Sequence, residues 1–87
     1  MAEATLLEFP CDFPIKIMGE RRDDFVQTVV DVVRRHAFDF AAESVEMRAS
    51  RGGKYLAITC TIRATSKAQL DALYRELSGH PWVKVLL

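Results

Sequence analysis

Residues 51–66 read RGGKYLAITCTIRATS, and the fold turns on how this stretch divides. Gly52 and Gly53 supply two positions free to take positive φ, which a tight hairpin turn demands. Ser66 is a favoured helix N-cap, and Gln69 three residues later completes a capping box. Between turn and cap, Leu56, Ile58, Cys60, Ile62 and Ala64 alternate with Tyr55, Ala57, Thr59, Thr61 and Arg63. A period of two with one apolar row is a strand that buries one face. The second row is neither core-like nor fully charged, since threonine forms strands well and tolerates water.

Working outward, the preceding SVEMRASR alternates Val45, Met47 and Ala49 against Glu46, Arg48 and Ser50, the other arm of the hairpin. After Ser66, Leu70, Leu73, Tyr74 and Leu77 form the stripe of a helix that Gly79 and Pro81 stop. The closing WVKVLL reads as a strand with Val83, Val85 and Leu87 on one side. Near the start, Phe13, Ile15 and Ile17 alternate with Pro14, Lys16 and Met18, a half-buried strand over 12–18 that Gly19 ends. RRDDFVQTVVDVVRRHA follows, with Phe25, Val26, Val29, Val30 and Val33 at helical spacing. Asp23 and Asp24 open that helix and Arg34, Arg35 and His36 close it, as the helix dipole favours, and Asp31 can pair with Arg35 one turn on. Its valines are weak helix formers, so packing must hold it.

The order is therefore β-α-β-β-α-β. Two helices with one apolar stripe each cover a single face of a four-stranded sheet. Right-handed crossovers then give an α+β, ferredoxin-like sandwich, with the first and third strands central and the second and fourth at the edges. Residues 1–9 read as an arm whose Leu6, Leu7 and Phe9 lie against the domain, and residues 10–87 as a single domain.

Eighty-seven residues suffice for one core. Twelve basic side chains balance twelve acidic ones, which argues against a phosphate-backbone binder. No apolar run reaches the length of a membrane span, and the N-terminus lacks the pattern of a secretory signal. Cys11, placed in a loop, and Cys60, placed in the core, form no metal-ligand spacing and no disulfide framework, so the expectation is a cytoplasmic protein without metal or cofactor.

The helices claim the row with Leu56, Ile58, Cys60 and Ile62. The reverse of the sheet then carries Lys16, Met18, Glu46, Arg48, Tyr55, Thr59, Thr61, Arg63, Trp82, Lys84 and Leu86. This uncovered face is the first candidate interaction surface. A second is the turn at Gly19, where Arg21 and Arg22 flank a helix N-terminus and could meet an anion. Acyl-phosphate hydrolases of this topology need an asparagine to orient water, and the chain contains none, so an enzyme is not expected. His36 is placed as a helix C-terminal cap and His80 in a loop, with no acid or nucleophile to complete a site. The fourth strand, guarded by Lys84 alone, is the expected edge for homodimerisation or an added strand. The competing function is single-stranded nucleic-acid binding through Tyr55, Arg63, Arg48 and Lys84, since RNA-recognition modules share this topology.

LLEFPCDFPIKIMG, VVDVVRRHA, LYREL and VKVLL together resemble the YbeD-like family of small bacterial proteins of unknown function. The similarity runs from Leu6 to Leu87, and Phe9-Pro10, Phe13, Lys16 and Met18-Gly19 carry it most specifically. The resemblance implies a cytosolic, non-catalytic ferredoxin-like domain, similar in shape to amino-acid-sensing domains of the ACT type. Those bind small effectors near the first strand–helix turn, and Gly19 would be the matching position. The function expected is thus a regulatory or adaptor domain that binds a protein partner or a small effector.

Overall fold

The computed structural model describes residues 8–87. Strand β1 (Cys11–Glu20) leads into helix α1 (Phe25–His36), and a short 3-10 turn (Ala42–Ser44) precedes β2 (Glu46–Ala49). Strand β3 (Tyr55–Ala64), helix α2 (Lys67–Ser78) and β4 (Val83–Leu86) complete the chain. The sheet order is β2-β3-β1-β4 with every pair antiparallel, the arrangement expected from the sequence. Gly52 and Gly53 turn the β2–β3 hairpin at φ of 87° and 74°, a region costly for any residue with a Cβ. The expected place of Leu6 and Leu7 lies outside the described residues, while Phe9 packs against the core.

The core lies between the helices and one face of the sheet. Ile15, Ile17, Ile58, Cys60 and Ile62 meet Phe25, Val29 and Val33 of α1 and Leu73 and Leu77 of α2, all essentially without solvent contact. Each such side chain contributes about 1.5–3 kcal/mol by leaving water, which is what holds a valine-rich segment helical. Val32 is buried too, so the apolar stripe of α1 is wider than its spacing implied.

Strand β1 is longer than expected. Cys11, placed by the sequence in a loop, opens the strand half-buried, and Gly19 continues it to Glu20. β1 and β3 pair along ten residues, from Cys11 opposite Ala64 to Glu20 opposite Tyr55. Lys16 and Leu87 exchange both backbone hydrogen bonds (3.1 and 2.9 Å), so the even-numbered residues of β1 address β4. Pro14 lies beyond the end of β4, where its missing N–H breaks no ladder bond.

The register against β4 slips at one point. Met18 faces Val85 and Gly19 faces Val83, which leaves Lys84 as the extra residue of a β-bulge. Because side chains alternate with a period of two, the bulge changes which residues of β4 reach the core. Leu86, opposite Ile17, and Val83 pack against the core, whereas Val85 and Leu87 are 43% and 67% exposed.

Helix ends are tied by side chains. Ser66 Oγ accepts the N–H of Gln69 at 3.0 Å, as expected of a cap. The Gln69 amide does more: its Oε1 accepts from the N–H of Thr65 (2.7 Å), and its Nε2 donates to the carbonyl of His36 at the end of α1 (2.8 Å). Asp24, by contrast, stands at the N-cap of α1 without a side-chain hydrogen bond. Asp31 does not pair with Arg35 but accepts from Gln27 Nε2, and Arg35 turns instead to Glu76 on α2.

Candidate functional site

The uncovered face is built from four strands whose cross-strand partners fall into rows. Leu87, Lys16, Thr59 and Glu46 form one row, and Val85, Met18, Ala57 and Arg48 the next. Thr61 lies opposite Pro14, and Arg63 opposite Asp12, farther along the same face. The face is divided. Toward β2 it carries charge, and toward β4 it carries Met18, Val85 and Leu87, with Tyr55 at one end.

On the charged half the side chains leave a shallow groove of about 330 Å³ lined by Lys16, Glu46, Met47, Arg48, Ala57 and Thr59. A smaller hollow of about 100 Å³ adjoins it, floored by Met18, Ala57 and Tyr55. Small residues make the depression: Ala57 and Thr59 sit between longer neighbours on both flanking strands. Among the described residues none of Lys16, Glu46 and Arg48 is ion-paired within the chain, so two cations and one carboxylate face solvent with their hydrogen-bonding capacity unspent. Such a surface suits a ligand or partner with polar groups of both signs beside a small apolar part.

Several expected site residues stand elsewhere. Trp82 and Leu86 do not share the open face; the bulge at Lys84 turns Leu86 to the helix side, and Trp82 packs against the core. Arg22 lies over the Trp82 ring, 4.6 Å from its centroid, and His80 meets its edge. Lys84 is exposed at the bulge rather than in the groove. Gly19 is buried on the helix side of β1, directly beneath Phe25 and the carbonyl of Trp82. Its missing side chain makes room for packing, and the turn beyond it is filled: the N–H of Arg21 donates to the carbonyl of Lys54, and Arg22 is held between Trp82 and Glu20. Lys16, Met18, Arg48, Tyr55, Thr59, Thr61 and Arg63 do share the open face.

Sequence reasoning missed Val85 and Leu87. Both alternating rows of WVKVLL are apolar apart from Lys84, so the pattern carried no signal for the bulge. It also missed a polar link between the helices. Glu76 on α2 accepts from Arg35 and bonds His36 Nε2 at 2.7 Å, which makes His36 a bridge between helices rather than a simple cap. The Arg35 guanidinium first, and His36 second, hold the Glu76 carboxyl below its ordinary range, and the same contact raises Arg35.

Among the described residues no cysteine, histidine or pair of carboxylates lines the groove. Burial pushes the Cys60 thiol up to about 11, on the opposite face of the sheet. Among the described residues no three His, Cys, Asp or Glu side chains gather in a way that could hold a metal ion, and no helix is long and apolar enough to cross a membrane.

Residues 4–87 match the family model described as "Protein of unknown function (DUF493)". A UPF0250 protein of Nitrosomonas europaea is 53% identical over 87 residues, covering 100% of both chains. Among solved structures, a protein of H. pylori superposes with a TM-score of 0.71 at 10% identity, covering 93% of this chain and 85% of that one. The ACT domain from GTP pyrophosphokinase of Chlorobium tepidum superposes with a TM-score of 0.65 at 19% identity, covering 87% and 84%. At these identities the two structures speak for the fold alone.

Proposed function

The chain belongs to the DUF493 family of proteins of unknown function, as its resemblance to YbeD-like proteins implied, and from that premise we propose that it is a non-catalytic regulatory or adaptor domain. Its binding surface is the groove between β1, β3 and β2, and its ligand is a protein segment or a small effector. One observation carries this reading: Lys16, Arg48 and Glu46 border a depression of about 330 Å³ and spend their charge on no neighbour within the described chain. The ACT-like fold is compatible with such a role. Two free thiols fit a cytoplasmic site of action.

The test is a titration of the isotopically labelled protein with fractionated metabolites and with partner proteins captured from cell extract, read by amide chemical shifts. Shifts centred on Lys16, Arg48, Ala57 and Thr59, weakened by Lys16→Ala and Arg48→Ala, support the assignment. A ligand that moves only residues elsewhere, or an extract that moves none, refutes it. Nucleic-acid binding draws less support, because among the described residues Tyr55 is the one aromatic on the open side of β3 and β1 offers none, and twelve basic side chains balance twelve acidic ones. Salt-sensitive shifts with single strands, lost in Arg63→Ala, would reverse that ranking.

A further inference from the structure

Strand β2 is exposed at all four of its residues, and Met47 is 59% exposed although its partner Ile58 is fully buried. The helices cover the central strands and leave β2 bare on its helix side. Its backbone parity is fixed by the hairpin: Ser50 donates to the carbonyl of Tyr55 at 2.9 Å, so Glu46, Arg48 and Ser50 address β3. Met47 and Ala49 therefore direct their backbone groups outward, where no strand among the described residues meets them.

We propose that this edge pairs antiparallel with β2 of a second copy of the chain, about a two-fold axis at Met47. In that register Met47 exchanges both backbone hydrogen bonds with its counterpart. The N–H of Ala49 reaches the carbonyl of Val45 in the other copy; the N–H of Val45 already donates to Ala42 within its own chain. Glu46 then stands opposite Arg48 of the second copy, and Arg48 opposite Glu46, at positions without a ladder bond, where side chains approach most closely. The sequence Glu-Met-Arg is thus complementary to itself in this register, as an isologous two-fold interface requires. Charges on an edge strand discourage random pairing, and here Glu46 and Arg48 select this single partner. β4 is a poorer edge, since its bulge and Lys84 break the ladder and no charge there finds a complement. The inference goes beyond the groove reading and does not depend on it, because the pairing needs no ligand; in the dimer it draws Glu46 and Arg48 from the border of the groove into the seam and leaves Lys16 to a ligand.

The paired strands bury less surface than a standard permanent interface, so the dimer is concentration-dependent. The test is mass in solution by sedimentation equilibrium, from micromolar to millimolar chain, on the full protein and two single variants. The wild type is expected to move from 9.9 kDa toward twice that mass. Glu46→Arg alone places like cations across the axis, and Arg48→Glu alone places like anions, so each variant is expected to stay at the single-chain mass while its amide spectrum reports an intact fold. An equimolar mixture of the two variants restores complementary charges and is expected to dimerise again. A wild type that stays at single-chain mass throughout overturns the proposal. So do single variants that dimerise as the wild type does, or a mixture that fails to associate. Groove binding is read separately, by amide shifts in the dilute monomer, so failure of one reading leaves the other standing.

Discussion

Gly19→Ala is the sharpest test of how β4 is seated. A Cβ added at Gly19 would collide with the carbonyl oxygen of Trp82 and lie 2.7 Å from Phe25 Cζ, both inside the closest approach of real side chains. Neither neighbour can yield cheaply. Trp82 O is backbone at the start of β4, beside the bulge that sets its register, and Phe25 is fully buried. Overpacking a dense core costs about 1–3 kcal/mol, and two rigid neighbours put this site at about 3 kcal/mol. For a domain of this size that is about 12–24 °C in Tm, a large part of a total stability of roughly 4–13 kcal/mol. The assay is denaturant unfolding followed by fluorescence of Trp82, the single tryptophan, which reports the same contact. Gly79→Ala is the control: a Cβ there meets Arg75 O at an ordinary 3.4 Å, and φ is −84°, so its effect is expected within about 1 kcal/mol. A Gly19→Ala variant within about 0.5 kcal/mol of the wild type would refute the close approach, and with it the placement of Trp82 against the core.

Three further outcomes are expected. Glu76→Gln unties α2 from Arg35 and His36; because the pair is exposed, the loss at neutral pH is only about 0.2–1 kcal/mol by urea melts. The folded-state pKa of Glu76 is depressed, so its contribution is present above the ordinary 4.5 and disappears as pH falls through the lower folded value; the variant should lack that acid-side component and converge with the wild type. Iodoacetamide at pH 8 should modify half-exposed Cys11 long before Cys60, whose thiolate fraction there is roughly a thousandth, and equal labelling by mass spectrometry would contradict the buried β3 row. Ser66→Ala should cost about 0.5–2 kcal/mol by thermal melts, and a neutral result would mean that Gln69 alone holds the start of α2.

Much of this protein is written in its local pattern. Residues 51–66 fix a turn, a strand and a helix cap because each depends on neighbours along the chain: the positive φ of Gly52 and Gly53, the alternation to Ala64, and the Ser66 hydroxyl reaching the N–H of Gln69. From those periods the strand order follows, since two one-sided helices and short connections leave few ways to bury every stripe. What alternation cannot carry is a single shifted residue. The bulge at Lys84 sits where β4 passes Gly19 and the Phe25 ring, and it exchanges Leu86 for Val85 and Leu87 on the open face. Nor can the sequence show which charges meet across 41 residues, so Arg35 reads as a partner of Asp31 until α2 brings Glu76 beside it. The bare helix side of β2 likewise depends on where the helices settle over the sheet. Periodicity is a property of consecutive residues and survives in the sequence; register, and the neighbours it creates, exists only once the strands have been laid side by side.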